Sequence, residues 1–255
     1  MDDVARQAHA NFVAFNRWRA VNEDSAVLDA GGVFAAAGAT DFPSSRSAVL
    51  HDRGGGPDAA IAGHEFLMAH GTTALIYTQV GGDDAVTAAL IELGYVDYSQ
   101  MPEMVCEAPL PAADPADGVT VRLLETLDDA RAYVDVAAVA FTELAIPEEE
   151  TRHHLAKTEV LLKPDVVVAL AEVEGRVMAG ALVLLVGGHG YVGWVSTLAE
   201  GRGHGLGDAV TRRVTNEAFA RGAGTVTLEA SPFGEAIYRR MGYRDLYRYR
   251  MLIKL

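Results

Sequence analysis

The sequence predicts an α/β protein built on a mixed sheet, with its elements arranged in two similar halves. Three observations predict it. A proline-rich break divides the chain near its middle. The half after the break alternates strands and helices in a regular order. The half before it echoes the end of that order.

The break is Ala108-Pro109-Leu110-Pro111-Ala112-Ala113-Asp114-Pro115-Ala116-Asp117-Gly118. It has prolines and no apolar periodicity, the composition of an exposed linker. The expected domains are 1–108 and 118–255, joined by a linker at 109–117. In the second half, Val119 to Leu123 alternates and reads as a strand. Thr126-Leu127-Asp128-Asp129 reads as a helix start, with apolar spacing to about Phe141. Pro147-Glu148-Glu149-Glu150 opens a second helix, with proline and acids where N-termini favour them. Strands follow at Val166–Glu172, Arg176–Val186 and His189–Thr197, the first two around Glu174-Gly175. A helix runs from Leu206 to about Arg221 on the stripe Leu206, Val210, Val214 and Ala218, and Gly222 and Gly224 stop it. Thr225–Ala230 is a strand, Glu235–Met241 a short helix stopped by Gly242, and Tyr247–Lys254 the last strand.

The first half carries the echo. A helix over Ala59–Ala69 precedes a strand at Gly71–Val80. A helix over Asp83–Leu93 is closed by Gly94-Tyr95, and Met101–Glu107 is a strand. Gly94-Tyr95 and Gly242-Tyr243 hold the same place, so the halves read as a divergent duplication. Two unrelated α/β modules that both end helices with glycine are the alternative.

Composition narrows the partners. Half of the 255 residues are apolar, which is ample for packed cores. No apolar run is long enough for a bilayer, so no membrane partner is expected. Met1-Asp2-Asp3-Val4 is acidic and unlike a signal peptide. Cys106 is the only cysteine, which fits a reducing cytoplasm. The net charge of −14 argues against a nucleic-acid partner. No metal site is expected.

Chemistry concentrates in Arg202-Gly203-His204-Gly205-Leu206-Gly207-Asp208, between a strand and an amphipathic helix. Glycines let the backbone take positive φ and let a ligand approach. The first helical N–H groups have no partner within the helix, and with the helix dipole they suit a diphosphate. Arg202 adds charge. Asp208-Ala209 stands where a P-loop would need Lys-Ser or Lys-Thr. A Rossmann turn belongs to the first βαβ unit and this one comes late, although Glu229 sits at about the expected distance for its acid. A tight connection without a ligand is the plainest alternative.

Arg202-Gly203-His204-Gly205-Leu206-Gly207 resembles the R/Q-x-x-G-x-G/A signature of the GNAT acetyltransferases. Gly234-Glu235-Ala236-Ile237-Tyr238-Arg239-Arg240-Met241-Gly242-Tyr243 is similar to the family's A-x-x-L-Y-x-x-x-G-F/Y segment, with Gly234 and Ile237 as departures. The resemblance covers Val119 to Leu255 and implies the GNAT acyl-CoA N-acyltransferase fold. The first half resembles the cofactor-poor halves of tandem GNAT proteins, which implies two copies of the fold.

The resemblance also implies a cosubstrate, acetyl-CoA, and a reaction, transfer of its acetyl group to a primary amine by direct attack. In the family, the strand before the turn splays and its backbone pairs with the pantetheine arm, here at Val195, Ser196 and Thr197. The diphosphate would lie on the amides of Gly203, His204, Gly205, Leu206 and Gly207, with Arg202 and Asp208 beside it. Ser231 replaces an asparagine that touches the pantetheine arm in many relatives. Tyr238 matches the tyrosine that protonates the departing thiolate, and a phenol is un-ionised and able to do so at neutral pH. The other reading of Tyr238 is a packed aromatic beside Ile237 and Met241.

No carboxylate stands on the strand Gly190–Thr197, where many relatives carry a general base. Glu143, His153, His154, His189 and Glu229 are the candidates elsewhere. The missing base keeps open a coenzyme A-binding sensor or interaction protein. In the first half, Arg53-Gly54-Gly55-Gly56-Pro57-Asp58 takes the corresponding place. Pro57 removes an amide donor and Asp58 adds negative charge, so this copy is expected to bind the coenzyme poorly. The resemblance implies a small-molecule or peptide amine as partner. It also implies a monomer whose first half substitutes for a dimer partner, with a homodimer as the alternative.

Overall fold

The computed structural model describes residues 3–51, 56–111 and 115–255. Part of the linker, 112–114, and 53–55 of the first glycine run lie outside them. No helix among the described residues is long and apolar enough to cross a membrane. Contacts divide the chain into two units. One holds the chain up to Met104 together with Ala230–Pro232 and Asp245–Leu255. The other holds Val105–Glu229 and Phe233–Arg244.

The first unit opens with helix α1 (Asp3–Asn22). Strands β1 (Ala26–Ala30) and β2 (Val33–Ala37) form an antiparallel hairpin whose turn is Gly31-Gly32, both at positive φ. Strand β3 (Arg46–Leu50) follows, then helix α2 (Gly56–His70), β4 (Ala74–Gln79), α3 (Asp84–Glu92) and β5 (Val96–Cys106). The final strand β11 (Arg244–Lys254) pairs antiparallel with β4, from Tyr249 opposite Gln79 to Lys254 opposite Ala74. Strand order in this unit is β1-β2-β3-β4-β11-β5. Its core joins Val33, Ala48, Leu67, Ile76, Leu90 and Tyr95 to Leu252 of β11.

Nothing before Ala59 was legible as an element. The face that α1 buries is as polar as it is apolar, with His9, Asn11, Asn16 and Arg19 beside Phe12 and Phe15. Specific partners satisfy these groups. His9 Nδ1 lies 2.6 Å from the Tyr249 hydroxyl and its Nε2 2.7 Å from the Leu50 carbonyl oxygen. Arg19 donates to the Ser44 carbonyl at 2.8 Å and to Ser47 Oγ at 2.6 Å. Burial satisfied at such distances in sequence leaves no apolar stripe to read.

The second unit follows the sequence reading closely. Its elements are β6 (Val119–Leu123), α4 (Leu127–Phe141), α5 (Glu148–His154), β7 (Val166–Val173), β8 (Arg176–Val186), β9 (His189–Thr197), α6 (Leu206–Ala220), β10 (Val226–Glu229) and α7 (Glu235–Met241). Strand order is β10-β9-β8-β7-β6. Thr126 caps α4 in a capping box with Asp129. The stripe Leu206, Val210, Val214 and Ala218 is buried, as its spacing requires.

The two units repeat one substructure. In the first, β3 and β4 flank α2 and pair in parallel at Ser47–Leu75, Ala48–Ile76 and Val49–Tyr77. In the second, β9 and β10 flank α6 and pair in parallel at Gly190–Val226, Tyr191–Thr227 and Val192–Leu228. Gly94 and Gly242 both take positive φ, and each following tyrosine is buried. The Tyr95 hydroxyl meets His64 of α2 at 3.1 Å, and the Tyr243 hydroxyl meets Thr215 of α6 at 2.7 Å.

Candidate active site

The site begins with a break in β9. Against β8, Thr197 pairs with Ala179 and Ser196 with Gly180, but the next partner of β9 is Gly193, opposite Leu182. Trp194 and Val195 therefore bulge, with Trp194 at φ +53°. The Tyr133 hydroxyl of α4 donates to the Trp194 carbonyl at 2.8 Å and holds the bulge. Gly180 makes room for it, because a Cβ there would fall within the Tyr133 ring. A bulge bends its strand. Beyond Val192, β9 has no further pair with β10, yet it runs on to Thr197. Val195, Ser196 and Thr197 thus lie past the point where the two strands part.

The turn follows. Gly203 and Gly205 adopt φ +79° and +71° with open space beyond them, so conformation rather than crowding requires glycine. Gly207 is different. A Cβ there would sit 3.2 Å from Thr197 Oγ1. The amides from Gly203 to Asp208 have no hydrogen-bond partner among the described residues. The first turn closes with the Ala209 amide on the Gly205 carbonyl at 2.9 Å. Leu206 is buried and anchors this end of α6, while His204 is exposed.

Nearby charges are paired. Arg202 forms an ion pair with Glu143 and donates to the Thr197 carbonyl at 3.3 Å. Asp208 is paired with Arg212 at 3.2 Å, and Arg212 also donates to the Pro111 carbonyl at 2.9 Å. Asp208 therefore sets no unbalanced negative charge beside the free amides.

Tyr238 of α7 is buried. Burial pushes its phenol up to about 12, against a hydrogen bond with Thr211 that pulls the other way. Thr211 sits one turn into α6 and donates to the Gly207 carbonyl at 2.8 Å. One threonine thus links the turn to the phenol. Sequence reasoning missed Thr211 and Tyr133, since both read as ordinary helix positions. Gly193 inside a strand was the available signal for the bulge.

Gly234, a departure from the family segment, has a structural reason. A Cβ there would lie 2.6 Å from Tyr238 Cε2 and 3.1 Å from Cζ, so the ring occupies the methyl's place. Gly234→Ala is expected to cost about 1–3 kcal/mol through overpacking, read as a lowered melting temperature. An unchanged melting temperature would show that the ring moves freely.

The remaining candidates separate. Ser231, in the loop after β10, groups with the first unit. Glu143 is engaged by Arg202. His154 and Glu150 form a buried pair at 3.2 Å. His189 meets Thr225 at 2.9 Å. His153 has a buried Nε2 without a partner among the described residues, and Glu229 pairs with no arginine.

Residues 111–240 match the family described as Acetyltransferase (GNAT) domain. No curated protein matches the chain. Among solved structures, it is similar to a GCN5-related N-acetyltransferase from Kribbella flavida (TM-score 0.74, 22% identity), over 100% of this chain and 96% of that one. A GCN5-related N-acetyltransferase from Sphaerobacter thermophilus gives a TM-score of 0.64 at 20% identity, over 88% and 76%. A tandem GNAT protein from the clavulanic acid biosynthesis pathway gives 0.59 at 15% identity, over 89% and 81%. At these identities the structures speak for the fold. With the family match over half of its length, the chain belongs to the GNAT acetyltransferase family.

Proposed function

We propose that this protein transfers an acetyl group from acetyl-CoA to a primary amine on a small molecule or peptide. The observation that carries the reading is the run of unbonded amides from Gly203 to Asp208, next to the parting of β9 and β10. Those amides and the dipole of α6 hold the diphosphate. The edge of β9 at Val195, Ser196 and Thr197 orients the pantetheine arm. When bound, acetyl-CoA supplies an activated thioester. Tyr238 donates a proton to the departing sulfur, and burial keeps its phenol un-ionised at neutral pH.

Calorimetry with acetyl-CoA and with NAD tests the coenzyme: binding of NAD alone would sink the reading. Tyr238→Phe tests the acid. Turnover is expected to fall about 100-fold, the lower end for a lost proton donor, with acetyl-CoA affinity unchanged. Equal turnover in the variant would remove Tyr238 from the chemistry. A protein that binds acetyl-CoA but acetylates no amine would instead be a coenzyme A sensor.

A further inference from the structure

Acetyl transfer to an amine needs a group that takes the amine's proton, and β9 carries no carboxylate. The geometry points to Glu229, the last residue of β10, as that proton acceptor. This inference rests on the acetyl-transfer reading above.

Place is the first argument. The β9–β10 ladder ends with Val192 opposite Leu228. Glu229 is the next residue on β10, so it stands where the strands part, on the strand facing the bulge at Trp194 and Val195. Isolation is the second. Its Oε1 is buried without a hydrogen-bond partner, and the carboxyl makes no ion pair among the described residues. Glu229 as a whole is half-buried, but a carboxyl with one oxygen shut away from water and unpartnered is costly to ionise, and such groups concentrate where a function uses them. Burial lifts this carboxyl to about 8, and no charged side chain contributes to the shift. A base of that strength is matched to an ammonium group near neutral pH.

The step balances. Glu229 takes one proton from the acceptor's ammonium group. The freed nitrogen lone pair attacks the thioester carbonyl carbon. A C–N bond forms, the C–S bond breaks, and its electron pair goes to sulfur, which receives the Tyr238 proton. The nitrogen loses a second proton, which restores the phenol through solvent, and Glu229 releases its own to solvent.

The test compares wild type, Glu229→Gln and His153→Gln by thiol release from acetyl-CoA. Spermidine, kanamycin, L-lysine and glycylglycine serve as acceptors from pH 6 to 10. With the best acceptor, Glu229→Gln is expected to lower kcat/KM about 100-fold near pH 7. It should also remove the inflection near 8 and leave acetyl-CoA affinity unchanged. A wild-type profile in Glu229→Gln, or the loss appearing in His153→Gln instead, would overturn the inference.

A second readout needs no acceptor. The folded protein holds the Glu229 proton more tightly than the unfolded chain, whose carboxyl titrates at about 4.3. That stability is present below the unfolded value and is lost as pH rises toward about 8. The melting temperature of Glu229→Gln should therefore gain on wild type across that window. A constant difference overturns the inference whatever the acceptor. Failure of wild type to bind acetyl-CoA sinks the acetyl-transfer reading instead.

Discussion

Gly205→Glu is expected to abolish acetyl-CoA binding in a protein that still folds. Gly205 takes φ +71°, and nothing lies within 4 Å of where its Cβ would be. The side chain therefore meets no wall. The fold bears only the left-handed strain, about 1–2 kcal/mol. The new carboxylate projects among the amides of Gly203 to Asp208, where the diphosphate is proposed to lie. Like charges about 4 Å apart repel by about 4 kcal/mol at the effective dielectric of a protein surface, which is about a thousandfold in affinity. Calorimetry should show binding weakened at least about 100-fold, with a melting temperature only a few degrees lower. Gly205→Ala carries the strain without the charge and should bind nearly as wild type. Retained affinity in Gly205→Glu would refute the placement of the diphosphate, and equal losses in both variants would assign the effect to backbone strain.

Ending the chain after Arg244 is expected to unfold the first unit. That truncation removes β11, which pairs with β4 over Tyr249–Lys254. Leu252 is fully buried in the first unit's core, and Tyr249 is 1% exposed. Arg250 pairs with Asp97 at 2.9 Å, Lys254 caps the Leu93 carbonyl, and Tyr249 meets buried His9. A single buried Leu→Ala change costs about 2–5 kcal/mol. Losing the whole strand costs more and leaves β4 with an open edge, against a total stability of about 5–15 kcal/mol. Limited proteolysis should cut the truncated protein throughout the segment before Met104, whereas Leu252→Ala should remain resistant and melt earlier. Wild-type resistance of the truncated protein would show that the first unit does not need β11.

Where a feature depends on neighbours in the chain, the sequence by itself determined it. Gly205 before Leu206 starts α6, Thr126 with Asp129 starts α4, and Gly242 ends α7, as read from residues three or four apart. The glycine turn was legible for the same reason, because backbone amides and positive φ are local properties. Tertiary structure alone decided what depends on distant partners. α1 hides polar groups that Leu50, Ser44, Ser47 and Tyr249 satisfy, so no stripe announced it. β11 alternates like any strand, and its choice of β4 across most of the chain is written in no local pattern. Tyr133 holds a bulge 61 positions away, and that bulge is where β9 parts from β10. Glu229 could as readily have met an arginine, and packing alone leaves its Oε1 without a partner among the described residues. Propensity and capping act over a few residues, whereas pairing, burial and isolation are settled by what the folded chain brings beside each group.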